Sequence, residues 1–259
     1  MAGQKLLDKK ALVTGGGVGI GESIALAFAR EGADVAIASR NTANLERVAA
    51  RIRDLGRRAL AITADIAEEE QVKSMVARTL AEFGRIDVLV NNSGIPGQFL
   101  DVSDMDLADW NRVLAVNITG TMLCCREALR DMRARKSGNI INISSMAGKR
   151  VTPKRSSYVT SKWGMHGFTL TLAMEVGPDN IRVNCICPGA TEGDRIERVI
   201  NAFVESSGRT YEEVRARLTN RASLRRMVTP EEVAECAVFF ASEDSSGMTG
   251  QIVDVSAGT

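Results

Sequence analysis

Thr14-Gly15-Gly16-Gly17-Val18-Gly19-Ile20-Gly21 follows a short β-branched run, Ala11 to Thr14, and opens a helical pattern, Gly21 to Glu31. Glycines between a strand and a helix let an anion approach the first amides of the helix, which lack intrahelical partners and carry the positive end of the dipole. Gly15, Gly17, Gly19, Ile20 and Gly21 are therefore the candidate phosphate contacts. The spacing departs from the commoner G-x-G-x-x-G, and no Gly-Lys-Ser/Thr occurs, so a loop that grips terminal phosphates with a lysine is excluded.

The same alternation runs through the rest of the chain. Val35 to Ala38, Ala59 to Thr63, Val88 to Asn91, Ile140 to Ser144, Arg182 to Ile186 and Ile252 to Val255 read as further strands. Between them Leu45 to Leu55, Gln71 to Phe83, Trp110 to Met132, Tyr158 to Val176 and Pro230 to Ala241 read as helices. Strands and helices taking turns imply a doubly wound, seven-stranded parallel α/β sheet covered on both faces, in one domain over 1–259. The segment 189–228 breaks the rhythm. Its two amphipathic patterns, Ile196 to Val204 and Glu212 to Leu218, are expected to cover a binding cleft at the strand ends.

Composition excludes several function classes. The chain of 259 residues has 33 basic and 32 acidic side chains, a net charge of +1, so there is no global attraction to nucleic acid or anionic membrane. The basic runs Arg51 to Arg58 and Arg130 to Lys136 lie near helix ends, where cations complement the dipole. No apolar run is long enough to span a bilayer, and Met1 to Lys10 lacks the apolar centre of a signal peptide, so a cytoplasmic protein is expected. Cys124, Cys125, Cys185, Cys187 and Cys236 are an odd set without a disulfide framework, and Cys185 with Cys187 reads as one face of a strand packed in the core. With His166 as the only histidine, no metal site is expected.

In a dinucleotide fold an acid at the end of the second strand accepts hydrogen bonds from the adenosine ribose. Here that place holds Ser39-Arg40-Asn41. A guanidinium suits a 2′-phosphate, which favours NADP(H) over NAD(H). Gly17 offers no side chain for a second phosphate contact.

Tyr158-Val159-Thr160-Ser161-Lys162 carries the chemistry. A phenol with a reference pKa near ~10 exchanges protons at neutral pH only when a neighbour favours its anion. On a helix Lys162 shares a face with Tyr158 and can sit beneath its ring.

Together these pieces resemble the classical short-chain dehydrogenase/reductase family over nearly the whole chain. The signatures come in order: Thr14 to Gly21, Asp65, Asn91-Asn92-Ser93-Gly94, Asn117, Ser145, Tyr158 with Lys162, and Pro188-Gly189. The resemblance implies a Rossmann-type fold and hydride transfer between nicotinamide and a carbinol or carbonyl carbon. It makes Tyr158 the general acid or base, Ser145 the group that holds the reacting oxygen, and Lys162 the residue that depresses the Tyr158 pKa and binds the nicotinamide ribose. It gives Asn117 a water that relays protons from Lys162, assigns adenine contacts to Asp65 and the Ile66 amide, and puts Asn91 near the cofactor ribose. Gly94, Pro188 and Gly189 belong to the same cofactor wall. Ser93 replaces the usual alanine, and Gly193 stands where a threonine commonly holds the nicotinamide carboxamide, for which Thr191 is the nearest substitute.

The substrate is left open by family. Arg155, three residues before Tyr158 in a loop with Lys149, Arg150 and Lys154, faces the substrate in the family and could pair with a carboxylate, phosphate or sulfonate, or with Glu192 or Asp194 of the covering segment. An aromatic content of 4% argues for a small polar alcohol, sugar derivative or hydroxy acid, with a 3-oxoacyl-thioester reductase as the competing enzyme. A non-catalytic dinucleotide sensor is the alternative of another class. The resemblance also implies a homotetramer built on the helices of Trp110 to Met132 and Tyr158 to Val176.

Overall fold

The computed structural model describes residues 4–259; of the amino-terminal stretch weighed above, Met1 to Gly3 lie outside the described residues. Seven strands form one sheet: β1 (Lys10–Thr14), β2 (Asp34–Ser39), β3 (Ala59–Thr63), β4 (Val88–Asn91), β5 (Gly138–Ile143), β6 (Ile181–Pro188) and β7 (Ile252–Val255). Their order is β3-β2-β1-β4-β5-β6-β7 and every pairing is parallel. The expected doubly wound sheet is thus found, with the order reversing between β1 and β4. At such a switch point the loops after the two strands diverge and leave a crevice.

One face is covered by α1 (Gly19–Arg30), α2 (Thr42–Asp54) and α9 (Pro230–Ala241). Ile24, Phe28, Val48, Ile52, Val233 and Phe240 pack there on Val13, Val35, Ile37, Ile141 and Ile186. The other face carries α3 (Glu69–Phe83), α5 (Gly120–Arg135) and α6 (Ser156–Val176). Met75, Leu123, Met132, Leu172 and Val176 meet Leu12, Leu89, Ile140 and Val183. Successive strand residues therefore feed opposite cores, which is why the strands read as unbroken apolar runs. No helix among the described residues is long and apolar enough to cross a membrane.

Local chemistry fixes the ends of these elements. Thr229 accepts from the Glu232 amide and Glu232 returns a bond to the Thr229 amide, with Pro230 in the first turn, so α9 starts on a capping box. Gly84, at φ +79°, ends α3 in the left-handed region. The covering segment forms α7 (Asp194–Ser207) and α8 (Tyr211–Arg221), which bury Ile200, Val214 and Met227 in a small core of their own.

One expected helix is broken. Trp110 to Met132 is divided into α4 (Leu107–Leu114), a π turn at Ala115–Thr119 and α5. The wide turn contains Asn117, and such single π turns inside helices recur at functional sites.

Candidate active site

The glycine turn after β1 is closed by the loop after β4. Asn92 Nδ2 donates to the carbonyls of Thr14 at 3.0 Å and Gly15 at 3.2 Å, while Thr14 Oγ1 accepts from the amides of Asn92 at 3.1 Å and Ser93 at 3.2 Å. Gly15 and Gly19 adopt φ +67° and +56°. A Cβ on Gly21 would lie 2.2 Å from the Gly15 carbonyl oxygen, and one on Gly15 would lie 2.7 Å from Asn92 Nδ2. Val18 caps α1 without a side-chain bond, so the amides of Gly19, Ile20 and Gly21 have no helical partner.

At the ends of β2 and β3 the candidates divide. Arg40 is exposed, Ser39 half-buried, and a Cβ on Gly17 would come 3.3 Å from Ser39 Oγ. Asn41 does other work: its Oδ1 accepts from the Asn44 amide at 3.0 Å and caps α2. Burial opposes ionisation of Asp65, but the Ala67 amide, Arg112 and Arg40 together hold its carboxyl below the usual range. Arg112, on α4, is a partner that no spacing in the sequence announced. Ile66 is buried against Gly120, where an added Cβ would press on its carbonyl.

Asn91 ends β4 with its side-chain amide buried within the sheet, donating to Asn142 Oδ1 at 2.9 Å and Cys125 Sγ at 3.2 Å, so only its backbone is left to border the crevice. The neighbouring Asn92 shapes the glycine turn instead.

Ser145, Tyr158, Lys162, Asn117 and Gly94 are brought together. Ser145 caps the short turn Met146–Gly148, its Oγ accepting from the Ala147 amide at 3.1 Å. That turn rests on His166, since a Cβ on Gly148 would meet its ring at 2.7 Å. Tyr158 is buried on the first turns of α6. Burial alone would raise its pKa, but Arg195, then Lys162 and Arg155, with the nearby Ser145 hydroxyl, bring it down to about 8. Lys162 faces the ring of Tyr158 as expected, its Nζ 5.8 Å from the ring centre, and donates to the Ile143 carbonyl at 2.8 Å. Burial also lowers the pKa of Lys162 itself.

The side chain of Asn117 is fully committed within the protein. Oδ1 accepts from the Ile95 amide at 2.8 Å, and Nδ2 donates to the Ile95 carbonyl and to Ser161 Oγ, both at 3.0 Å. These bonds clamp the loop after β4 to α6. Gly94 lies in that loop, and a Cβ there would come 3.2 Å from Asn117 Oδ1 and 3.7 Å from Lys162 Nζ.

Beyond β6, a Cβ on Gly189 would sit 2.9 Å from Ser256 Cα, so the strand after Pro188 leaves the sheet without room for a side chain. Thr191 is half-buried and donates to the Gly189 carbonyl at 3.2 Å. Gly193, at φ +118°, precedes α7 in a conformation that a threonine would adopt only with strain.

Two guanidinium groups converge on the catalytic ring. Arg155 Cζ is 4.2 Å from the centre of Tyr158 and 4.9 Å from that of Phe99, while Arg195 Cζ, from α7, is 5.9 Å from Tyr158. Phe203 meets Phe99 edge-on at 5.2 Å. Neither arginine pairs with Glu192 or Asp194. Arg195 and Phe99 were missed in the sequence, where the amphipathic pattern placed a covering helix without showing which side chains it turns inward.

Cys185 and Cys187 do share a sheet face, and Cys187 Sγ lies 3.2 Å from His166 Nε2 in the core behind Lys162.

Comparison with known proteins agrees with this geometry. A family profile described as Enoyl-(Acyl carrier protein) reductase matches residues 16–259. Cis-4-hydroxycyclohexanecarboxylate dehydrogenase of Sinomonas cyclohexanicum is 35% identical, with 99% of this chain and 98% of that protein covered. The 3-oxoacyl-(acyl-carrier-protein) reductase of Chlamydia trachomatis serovar D is 37% identical, with 98% of each covered. Among solved structures, NAD⁺-bound xylitol dehydrogenase superposes with a TM-score of 0.95 at 33% identity, over 98% of this chain and 100% of that one. Levodione reductase gives 0.93 at 29% identity, over 97% of each. With the parallel sheet, the glycine turn and the Ser145, Tyr158 and Lys162 constellation, these matches show that the chain belongs to the classical short-chain dehydrogenase/reductase family, enzymes acting on CH–OH and carbonyl groups.

Proposed function

We propose that the chain is an NADP(H)-dependent oxidoreductase acting on a small polar alcohol or ketone, hydroxy acids and sugar derivatives among them, with Tyr158 as general acid or base. The observation that carries this reading is the buried phenol of Tyr158, brought to about 8 beside Lys162 and Ser145. A group poised near neutral pH can both give and take a proton.

The residues fit a dinucleotide. Gly15 and Gly21 leave a cradle that a Cβ would fill, and the amides of Gly19, Ile20 and Gly21 face it without partners. Arg40 and Ser39 would meet a 2′-phosphate, Asp65 and the Ile66 amide the adenine, and Lys162 the nicotinamide ribose. Gly94, Pro188, Gly189 and Thr191 would wall the nicotinamide end. When bound, the cofactor supplies or accepts the hydride.

The chain's own residues handle the proton. In alcohol oxidation the Tyr158 phenolate takes the hydroxyl proton while Ser145 Oγ donates a hydrogen bond to the same oxygen. In reduction the phenol returns it. Lys162, anchored to Ile143, keeps a positive charge behind the phenolate, and Asn117 holds Ile95 and Ser161 so that the crevice wall does not shift.

A hydroxy-acid substrate is supported by the Sinomonas relative, and a 3-oxoacyl thioester by the Chlamydia relative. The Trp163, Leu170 and Met174 side chains exposed on α6 support a homotetramer, and the near-neutral charge supports a protein without nucleic-acid partners. The test is absorbance of reduced nicotinamide with NADP⁺ or NAD⁺ and a panel including 4-hydroxycyclohexanecarboxylates, xylitol, neutral alcohols and 3-oxoacyl thioesters. Hydride transfer with NADP(H) preferred is expected; tight cofactor binding without turnover on any of them would reject the enzyme reading in favour of a sensor.

A further inference from the structure

Resting on the oxidoreductase reading, we infer that Arg155 and Arg195 form a two-guanidinium clamp for a carboxylate carried by the substrate, with Phe99 and Phe203 walling its apolar body. The two arginines come from different parts of the chain, the loop before α6 and the first turn of the covering helix α7. They nevertheless reach the same ring, at 4.2 Å and 5.9 Å from the centre of Tyr158.

Apart from Tyr158 itself, little among the described residues balances them. Among the described residues no carboxylate forms an ion pair with either, although the covering segment offers Glu192, Asp194 and Glu197. Glu197 is taken by Tyr211 at 2.6 Å and by Arg215 at 3.4 Å. The Arg155 Nε is buried and has no hydrogen-bond partner. A buried, unpartnered donor on a charged group costs free energy, and here a second cation stands close enough to oppose it. Aromatic contacts to Phe99 and Tyr158 offset part of this cost. A substrate anion would satisfy the remainder.

The shape of the site selects among anions. Arg155 lies over two rings and can present an edge of its planar fork to one planar carboxylate, while Phe99 and Phe203, in edge-on contact at 5.2 Å, offer an apolar wall beside it. An apolar or cyclic hydroxy acid fits this combination better than a phosphorylated sugar, which would set hydroxyls against the phenyl groups.

The experiment measures binding without turnover. Only Tyr158 and Tyr211 are present, so the tyrosinate absorbance of wild type minus that of Tyr158→Phe isolates Tyr158. The groups facing it are Arg155 and Lys162 from its own segment, Ser145 from the turn after β5, and Arg195 from α7. Cyclohexanecarboxylate, by neutralising the two guanidinium groups, is expected to move the Tyr158 midpoint upward; cyclohexanecarboxamide is expected to leave it in place. Arg155→Met and Arg195→Met should each weaken carboxylate binding by about tenfold or more, the range of a charge-assisted hydrogen bond, and leave carboxamide binding unchanged. Thermal melting of each variant, with Arg155→Lys as a charge-retaining control, separates lost contacts from lost folding. Equal binding of acid and amide, or an Arg195→Met variant that binds the acid like wild type, would overturn the clamp. Tighter binding of cyclohexylphosphonate than of the carboxylate would overturn the carboxylate assignment. Because no hydride moves in these measurements, the clamp can fail while neutral alcohols still turn over, or hold where the turnover panel is silent.

Discussion

The Lys162 ammonium donates to the Ile143 carbonyl at the end of β5, at 2.8 Å, and this bond fixes the cation to the sheet rather than to the tyrosine on its own helix. The positive charge beside Tyr158 is therefore held by the rigid part of the fold. Arg195, on α7, supplies a further cation from a separate segment.

Tyr158→Phe is expected to reduce kcat by ~10² to 10⁴ while the fold and dinucleotide binding persist, because only the exchangeable proton is removed. Circular dichroism and a cofactor fluorescence titration would establish the intact protein, and a variant retaining most of the wild-type kcat would remove Tyr158 from its role.

The pH profile carries the sign of the tuned phenol. Oxidation needs the phenolate, so kcat/KM for an alcohol should rise with pH and level off above about 8, the value to which the surrounding cations bring Tyr158. Arg195→Met removes a group that favours the anion, so the midpoint should move to higher pH. A downward shift or none would show that the covering helix has no electrostatic hold on the catalytic group.

Much of this was legible in the sequence because it depends on local rules. β-branched runs alternating with helical periods dictate a parallel sheet, and a glycine turn between the first strand and helix dictates the phosphate cradle. What escaped depends on three-dimensional aim. Asn91 and Asn92 are adjacent, but strand alternation turns the first into the sheet and leaves the second to close the glycine turn. Asn117 lies in a π turn and bonds Ile95 and Ser161, contacts between separate segments that no local spacing announces. Arg195 approaches Tyr158 only through the packing of α7, which no local pattern reports.

Asn117→Ala should cost stability as well as activity. The Ile95 amide and carbonyl and the Ser161 hydroxyl would lose their shared partner, and each buried polar group left unpaired costs ~1 to 3 kcal/mol. Chemical denaturation should show a lowered midpoint with unchanged slope. An Asn117→Ala protein as stable as wild type would mean that water replaces the amide at no cost.

Cofactor choice should respond to Ser39. An aspartate there would repel a 2′-phosphate and accept from ribose hydroxyls, so Ser39→Asp is expected to shift the kcat/KM ratio toward NAD(H). Arg40 is exposed and, although its charge favours ionised Asp65, makes no direct ion pair among the described residues, so it is available to a 2′-phosphate. A wild-type preference for NAD(H) of about tenfold or more, ~1.4 kcal/mol, would refute the reading of Ser39 and Arg40.

The glycine turn offers the sharpest steric contrast. A Cβ on Gly21 would approach the Gly15 carbonyl oxygen to 2.2 Å and Asn92 Nδ2 to 2.4 Å, so Gly21→Ala must push apart the β1 and β4 loops that form the cradle. Gly19 meets nothing within 4 Å, and its substitution is opposed only by a φ of +56°. A left-handed conformation costs a non-glycine residue ~1 to 2 kcal/mol, whereas a backbone displacement abolishes the hydrogen bonds that hold the turn. Gly21→Ala should therefore lose dinucleotide affinity far more than Gly19→Ala, with both proteins still folded because the turn lies outside the two cores. Equal losses in a fluorescence titration would show that backbone conformation, not the approach of Asn92 and Gly15, governs the cradle.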